Sequence, residues 1–108
     1  MDPAWHWPKG PLGAGPAVVF DLDGVVSDAR GRQHFLEGPR RDWDAFFDAC
    51  GEDPLNRDVA ELIGLLADDV AVVLLTARPS RVREATLAWL EGHRLRYDLL
   101  VMRRRGDH

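Results

Sequence analysis

The apolar run Val18-Val19-Phe20 breaks at Asp21-Leu22-Asp23-Gly24, and this stretch constrains the fold more than any other in the chain. A buried strand can deliver a carboxylate at its C-terminal edge, and the two-residue period of a strand sends Asp21 and Asp23 to the same side. Two carboxylates that share one small volume either raise one pKa or recruit a cation. The pair therefore suits a Mg²⁺ site, a nucleophile with an acid partner, or both.

A second apolar run, Val70-Ala71-Val72-Val73-Leu74-Leu75, ends in Thr76-Ala77-Arg78-Pro79. A continuous run of this kind predicts a strand buried on both faces. Asp42 predicts an N-cap for a helix through Trp43, Phe46, Phe47 and Cys50 that Gly51 ends. Val59, Leu62, Ile63 and Leu66 form the expected apolar face of a second helix, starting near residues 54–56 and running to about residue 67. A third helix over residues 80–91 buries Val82, Trp89 and Leu90 before Gly92 closes it, and residues 97–102 complete a third strand. Residues 24–41 lack a sustained period and read as a long loop or small flap, with Asp28, Arg30, Arg32 and His34 expected in solvent.

Strand, helix, strand, helix, strand is the alternation of an α/β domain. The expected architecture is a Rossmann-like parallel sheet with covering helices. Residues 1–16 hold four of the seven prolines and read as an irregular arm packed on by Trp5 and Trp7, leaving residues 17–108 as the domain. In such sheets ligands sit beyond the C-terminal strand ends, which places Asp21, Asp23, Thr76 and Arg78 at one edge.

At 108 residues the chain makes one domain. Cys50 is its one cysteine, which excludes an internal disulfide and a cysteine-based metal site. No apolar run reaches membrane-spanning length and residues 1–10 lack signal-peptide features, so the expected location is the cytoplasm with no membrane partner. The net charge of −4 argues against a general nucleic-acid coat. Lys9 is the single lysine among 14 basic residues; the arginines cluster at Arg40-Arg41, Arg78 with Arg81 and Arg83, and Arg103-Arg104-Arg105. A GC-rich coding sequence accounts for such a bias, as does recognition of phosphate by planar guanidinium groups.

An apolar strand ending Asp-x-Asp-Gly, followed by an apolar strand ending in threonine, resembles motifs I and II of the haloacid dehalogenase (HAD) superfamily. The phrases Arg41-Asp42-Trp43-Asp44-Ala45-Phe46-Phe47, Thr76-Ala77-Arg78-Pro79 and Tyr97-Asp98-Leu99-Leu100-Val101-Met102-Arg103 resemble the phosphatase domain of polynucleotide kinase/phosphatase enzymes. The resemblance implies a phosphohydrolase in which Asp21 is the nucleophile and Asp23 the general acid and base. It implies that Thr76 donates its hydroxyl and backbone N–H to a phosphoryl group, with Ala77 and Arg78 also at the phosphate. It further implies Mg²⁺ held by the Asp21 carboxylate and the Asp23 carbonyl, and a phosphomonoester substrate such as a nucleic-acid 3′-end.

The superfamily also uses a later lysine or arginine (motif III) and a later acidic motif (motif IV). Neither follows Arg103 to Asp107 in this sequence, so the sheet is expected to be incomplete at its C-terminal side and turnover to be slow. Two further readings stand beside a nucleic-acid phosphatase. One is a phosphatase for a small phosphomonoester such as a nucleotide; the other is a catalytically incomplete phosphate-binding or interaction module.

Overall fold

The structure, a computed structural model, describes residues 4–103. Its elements in chain order are β1 (Trp5–His6), β2 (Ala17–Asp21), α1 (Trp43–Asp48), α2 (Arg57–Leu65), β3 (Ala71–Leu75), α3 (Arg83–Gly92) and β4 (Leu99–Val101), with short 3₁₀ turns at Arg30–Leu36, Cys50–Glu52 and Ser80–Val82.

The four strands form one sheet in the order β1-β4-β3-β2. β2 and β4 both run parallel to β3, as the alternation of strands and helices requires, and Asp21 stands opposite Leu75. The strand ending at Asp21 therefore lies beside the strand that leads into Thr76. The N-terminal arm is not irregular throughout: Trp5 and His6 pair antiparallel with Val101 and Leu100, so β1 closes the β4 edge. Two residues carry no readable alternation, which is why pairing alone reveals this strand.

Val72 and Leu74 of β3 are fully buried and pack with Ile63 of α2 and Trp89 and Leu90 of α3 in one core cluster. The opposite face of the sheet is more open, with Val19 58% and Leu75 44% exposed. The second helix buries Ile63 as expected, but Leu62 is 53% exposed, because the helix turns that side away from the sheet. The end of α2 is held by Arg96, whose Nη1 donates to the carbonyls of Leu66 at 2.7 Å and Ile63 at 3.3 Å. Its Nη2 donates to those of Ala67 at 2.8 Å and Val70 at 2.9 Å. A helix end leaves carbonyls without partners, and one planar guanidinium here satisfies them together with the following turn. Among the described residues no helix is long and apolar enough to cross a membrane.

Candidate active site

The strand carrying Asp21 stops because the chain turns sharply at Gly24, whose φ of 86° favours a residue without a Cβ. Gly24 N–H donates to the Ser27 carbonyl at 2.9 Å, and the Ser27 hydroxyl donates to the Leu22 carbonyl at 3.2 Å. This turn directs Asp23 inward, while Asp21 stays exposed at the strand end.

The Asp23 carboxylate is held from three sides. Thr76 Oγ1 donates to Oδ2 at 2.5 Å, and Oδ1 accepts from Arg32 Nη2 at 2.6 Å and from Arg78 Nε at 2.9 Å. Behind it, Arg32 grips Asp53 through Nε at 2.7 Å and Nη2 at 2.6 Å, and Arg78 Nη2 faces Asp53 Oδ2 at 3.6 Å. Two carboxylates and two guanidiniums thus alternate around a closed ring, so charge cancels where water is scarce. Burial pushes the Asp23 carboxyl up, but the Arg78 charge and the hydrogen bonds from Thr76, Arg32 and Arg78 outweigh it and hold the pKa below the ordinary value of 3.8.

Several expectations change at this point. Arg32, read as a solvated loop residue, is 2% exposed and is a central member of the ring. Thr76 does not offer both donors to a ligand: its hydroxyl serves Asp23 and its backbone N–H serves the Val101 carbonyl at 3.0 Å. Arg78 is fully buried beneath the site, bonded to Asp23 and, through Nη1, to Thr86 Oγ1 at 3.0 Å. What remains for a phosphoryl oxygen are the backbone N–H groups of Asp23 and Ala77, neither of which has an acceptor among the described residues. Asp28, Arg30 and His34 stay outside the ring, with the exposed Arg30 paired at 2.6 Å to a largely covered Asp28.

Asp21, Asp23, Thr76 and Ala77 open into one cavity of about 610 Å³, with Arg103 on its rim and Trp5, Leu75, Val101 and Met102 as apolar walls. The Asp21 carboxylate has no hydrogen-bond or ion-pair partner among the described residues. Cys50 is no rival nucleophile, since burial pushes its thiol up and its side chain is sealed in the core. Arg104, Arg105 and Asp107 lie outside the described residues.

A free carboxylate at a strand end thus lies beside a second carboxylate fixed on a threonine that follows the neighbouring strand. A family model of the polynucleotide kinase PNKP phosphatase domain matches residues 15–108. The chain belongs to the PNKP phosphatase-domain family of HAD-type proteins. Among solved structures, this PNKP-type domain is similar to a chain of a Pnkp1/Rnl/Hen1 complex at 29% identity and a TM-score of 0.65, covering 95% of this chain and 33% of that one. It is likewise similar to a chain of the Pnkp1/Rnl/Hen1 RNA repair complex at 28% identity and a TM-score of 0.69, covering 100% of this chain and 32% of that one. The domain therefore spans about a third of the length of the solved chains it matches. No curated protein matches it.

Among the described residues no three acidic, histidine or cysteine side chains converge as a metal cage. The PNKP-type site instead offers two hard oxygen donors, the unpaired Asp21 carboxylate and the Asp23 carbonyl, which no described N–H engages. That donor set fits Mg²⁺, which is commonly held by one or two carboxylates together with water and substrate phosphate.

Proposed function

We propose that this PNKP-type domain is a Mg²⁺-dependent phosphomonoester hydrolase acting through Asp21, with a nucleic-acid 3′-phosphate end as its substrate. One observation carries the reading: an unpaired carboxylate and a rigidly held one share a single cavity beyond the ends of parallel strands. The family match supports phosphoryl chemistry, and similarity to a component of an RNA repair complex supports a nucleic-acid substrate.

The Asp21 oxygen attacks phosphorus and forms an aspartyl-phosphate while the bond to the leaving oxygen breaks. Asp23 gives its proton to that oxygen, then as a carboxylate takes a proton from the water that attacks phosphorus, which frees phosphate and restores Asp21. The ring of arginines keeps Asp23 ionised in the empty site, which suits the second step. An entering phosphate dianion opposes the arginines and raises the Asp23 pKa, which suits the first. Mg²⁺, held by the Asp21 carboxylate and the Asp23 carbonyl, would cancel the repulsion between nucleophile and phosphate. The N–H groups of Asp23 and Ala77 orient the phosphoryl oxygens, and Arg103 brings positive charge to the rim.

A catalytically incomplete phosphate-binding module is the second reading. It is favoured by Arg103 being the one basic side chain that lines the cavity among the described residues. Phosphate release from p-nitrophenyl phosphate and from a 3′-phosphorylated oligonucleotide separates the two. The enzyme reading expects slow release that needs Mg²⁺ and vanishes in Asp21→Asn; binding of phosphate without release under any metal supports the module.

A further inference from the structure

Phe46 and Phe47 of α1 are 6% exposed, whereas Trp43, in ring contact with both, is 48% exposed. Its ring stacks at 27° on Phe47 with centroids 5.9 Å apart, and Phe47 in turn lies under the Arg103 guanidinium at 5.8 Å. Arg103 lines the cavity, so the exposed indole stands two ring spacings from a residue of the phosphate site. On its underside Phe46 supports the Arg32 guanidinium at 4.4 Å. The Trp43 ring is thereby braced by rings in contact with Arg103, which lines the cavity, and with Arg32, which lies behind Asp23. Arg40 and Arg41 precede it in sequence, separated from it by the N-cap Asp42, both exposed and without an ion-pair partner among the described residues.

An exposed aromatic face braced from behind costs little entropy when a flat ligand covers it, and bases stack on such faces whatever their sequence. Exposed guanidiniums two and three residues away in sequence supply what a phosphodiester chain needs, despite the net acidity of the whole domain. A mononucleotide could use the aromatic face but has no phosphodiester chain to meet the arginines. We propose that the Trp43 indole, with Arg40 and Arg41, is the platform on which a single-stranded polynucleotide lays a base near its 3′-end while the terminal phosphate occupies the Asp21 cavity. This rests on the phosphatase reading and assigns its substrate contacts. Trp43 supplies base stacking, and the two arginines supply sequence-independent attraction to the backbone.

The test uses the Asp21→Asn chain, to prevent turnover, and fluorescence anisotropy of a 5′-fluorescein-labelled, 3′-phosphorylated oligothymidylate. Trp43→Ala weakens binding roughly tenfold, and Trp43→Phe restores most of it, which separates a lost stacking surface from a damaged fold. Replacing Arg40 and Arg41 by glutamine lowers the slope of log affinity against log salt by about 1 to 2, while Trp43→Ala leaves that slope unchanged. Equal binding by Trp43→Ala and the parent would overturn the platform while leaving the phosphatase reading intact. So would a chain that binds inorganic phosphate in the same cavity yet ignores the oligonucleotide. Failure of the phosphatase reading registers separately, as absence of Mg²⁺-dependent phosphate release by the chain that keeps Asp21.

Discussion

Arg32 and Asp53 form a two-bonded ion pair inside the domain, Nε to Oδ1 at 2.7 Å and Nη2 to Oδ2 at 2.6 Å, with both side chains under 5% exposed. The same Nη2 reaches Asp23 at 2.6 Å. A guanidinium so placed couples the rigidity of the domain interior to the geometry of the proposed acid.

Removing one member of a buried pair leaves the other charged and unsolvated, a cost of roughly 3–5 kcal/mol. Arg32→Gln is therefore expected to lower the unfolding free energy by about that amount, measured by urea denaturation. Asp53→Asn removes a negative charge from between Arg32 and Arg78 and is expected to destabilise in the same direction. A change below about 0.5 kcal/mol for both variants would mean that the ring does not hold the fold together.

Stability should also depend on the protonation of Asp23. Its folded pKa lies below the ordinary carboxylate value of 3.8, so it contributes stability that is fully present above that value and is lost as pH falls through the lower folded one. The thermal midpoint is expected to drop below pH 4, and Asp23→Asn is expected to show a shallower drop over the same range. Parallel pH profiles for the two proteins would remove this assignment.

Arg96 binds four carbonyls at the end of α2 and in the turn beyond it. Truncation to alanine exposes these acceptors to partial satisfaction by water and should cost about 2 kcal/mol. Hydrogen exchange should localise the effect to residues 60–70. Uniform acceleration across the sheet would point to global unfolding instead.

The positions of Asp21, Asp23 and Thr76 at neighbouring strand ends were readable from sequence because each follows an apolar run that stops abruptly, where periodicity and turn chemistry act over a few residues. Arg32, Asp53 and Thr86 were not. Their roles come from contacts between the flap, the turn after α1 and α3, and nothing local distinguishes a buried arginine in a glycine-rich loop from a solvated one. Arg78 was placed at the right strand end, but its direction depends on acceptors, Asp23 and Thr86, that come from other segments. The three-and-four spacing of apolar residues in α1 is matched by burial at Phe46 and Phe47, whereas Trp43 on the same spacing is half exposed. The pairing of β1 with β4 had no signal in so short a segment.

The central claim is that Asp21 is the nucleophile and Asp23 its acid and base. It is tested most directly by quenching the chain during reaction with p-nitrophenyl phosphate and Mg²⁺, then reducing it with borohydride, which converts an aspartyl-phosphate to homoserine. Peptide mapping is expected to find homoserine at position 21 and unaltered aspartate at position 23. Homoserine at position 23, or phosphate released with aspartate intact at both positions, would contradict the account.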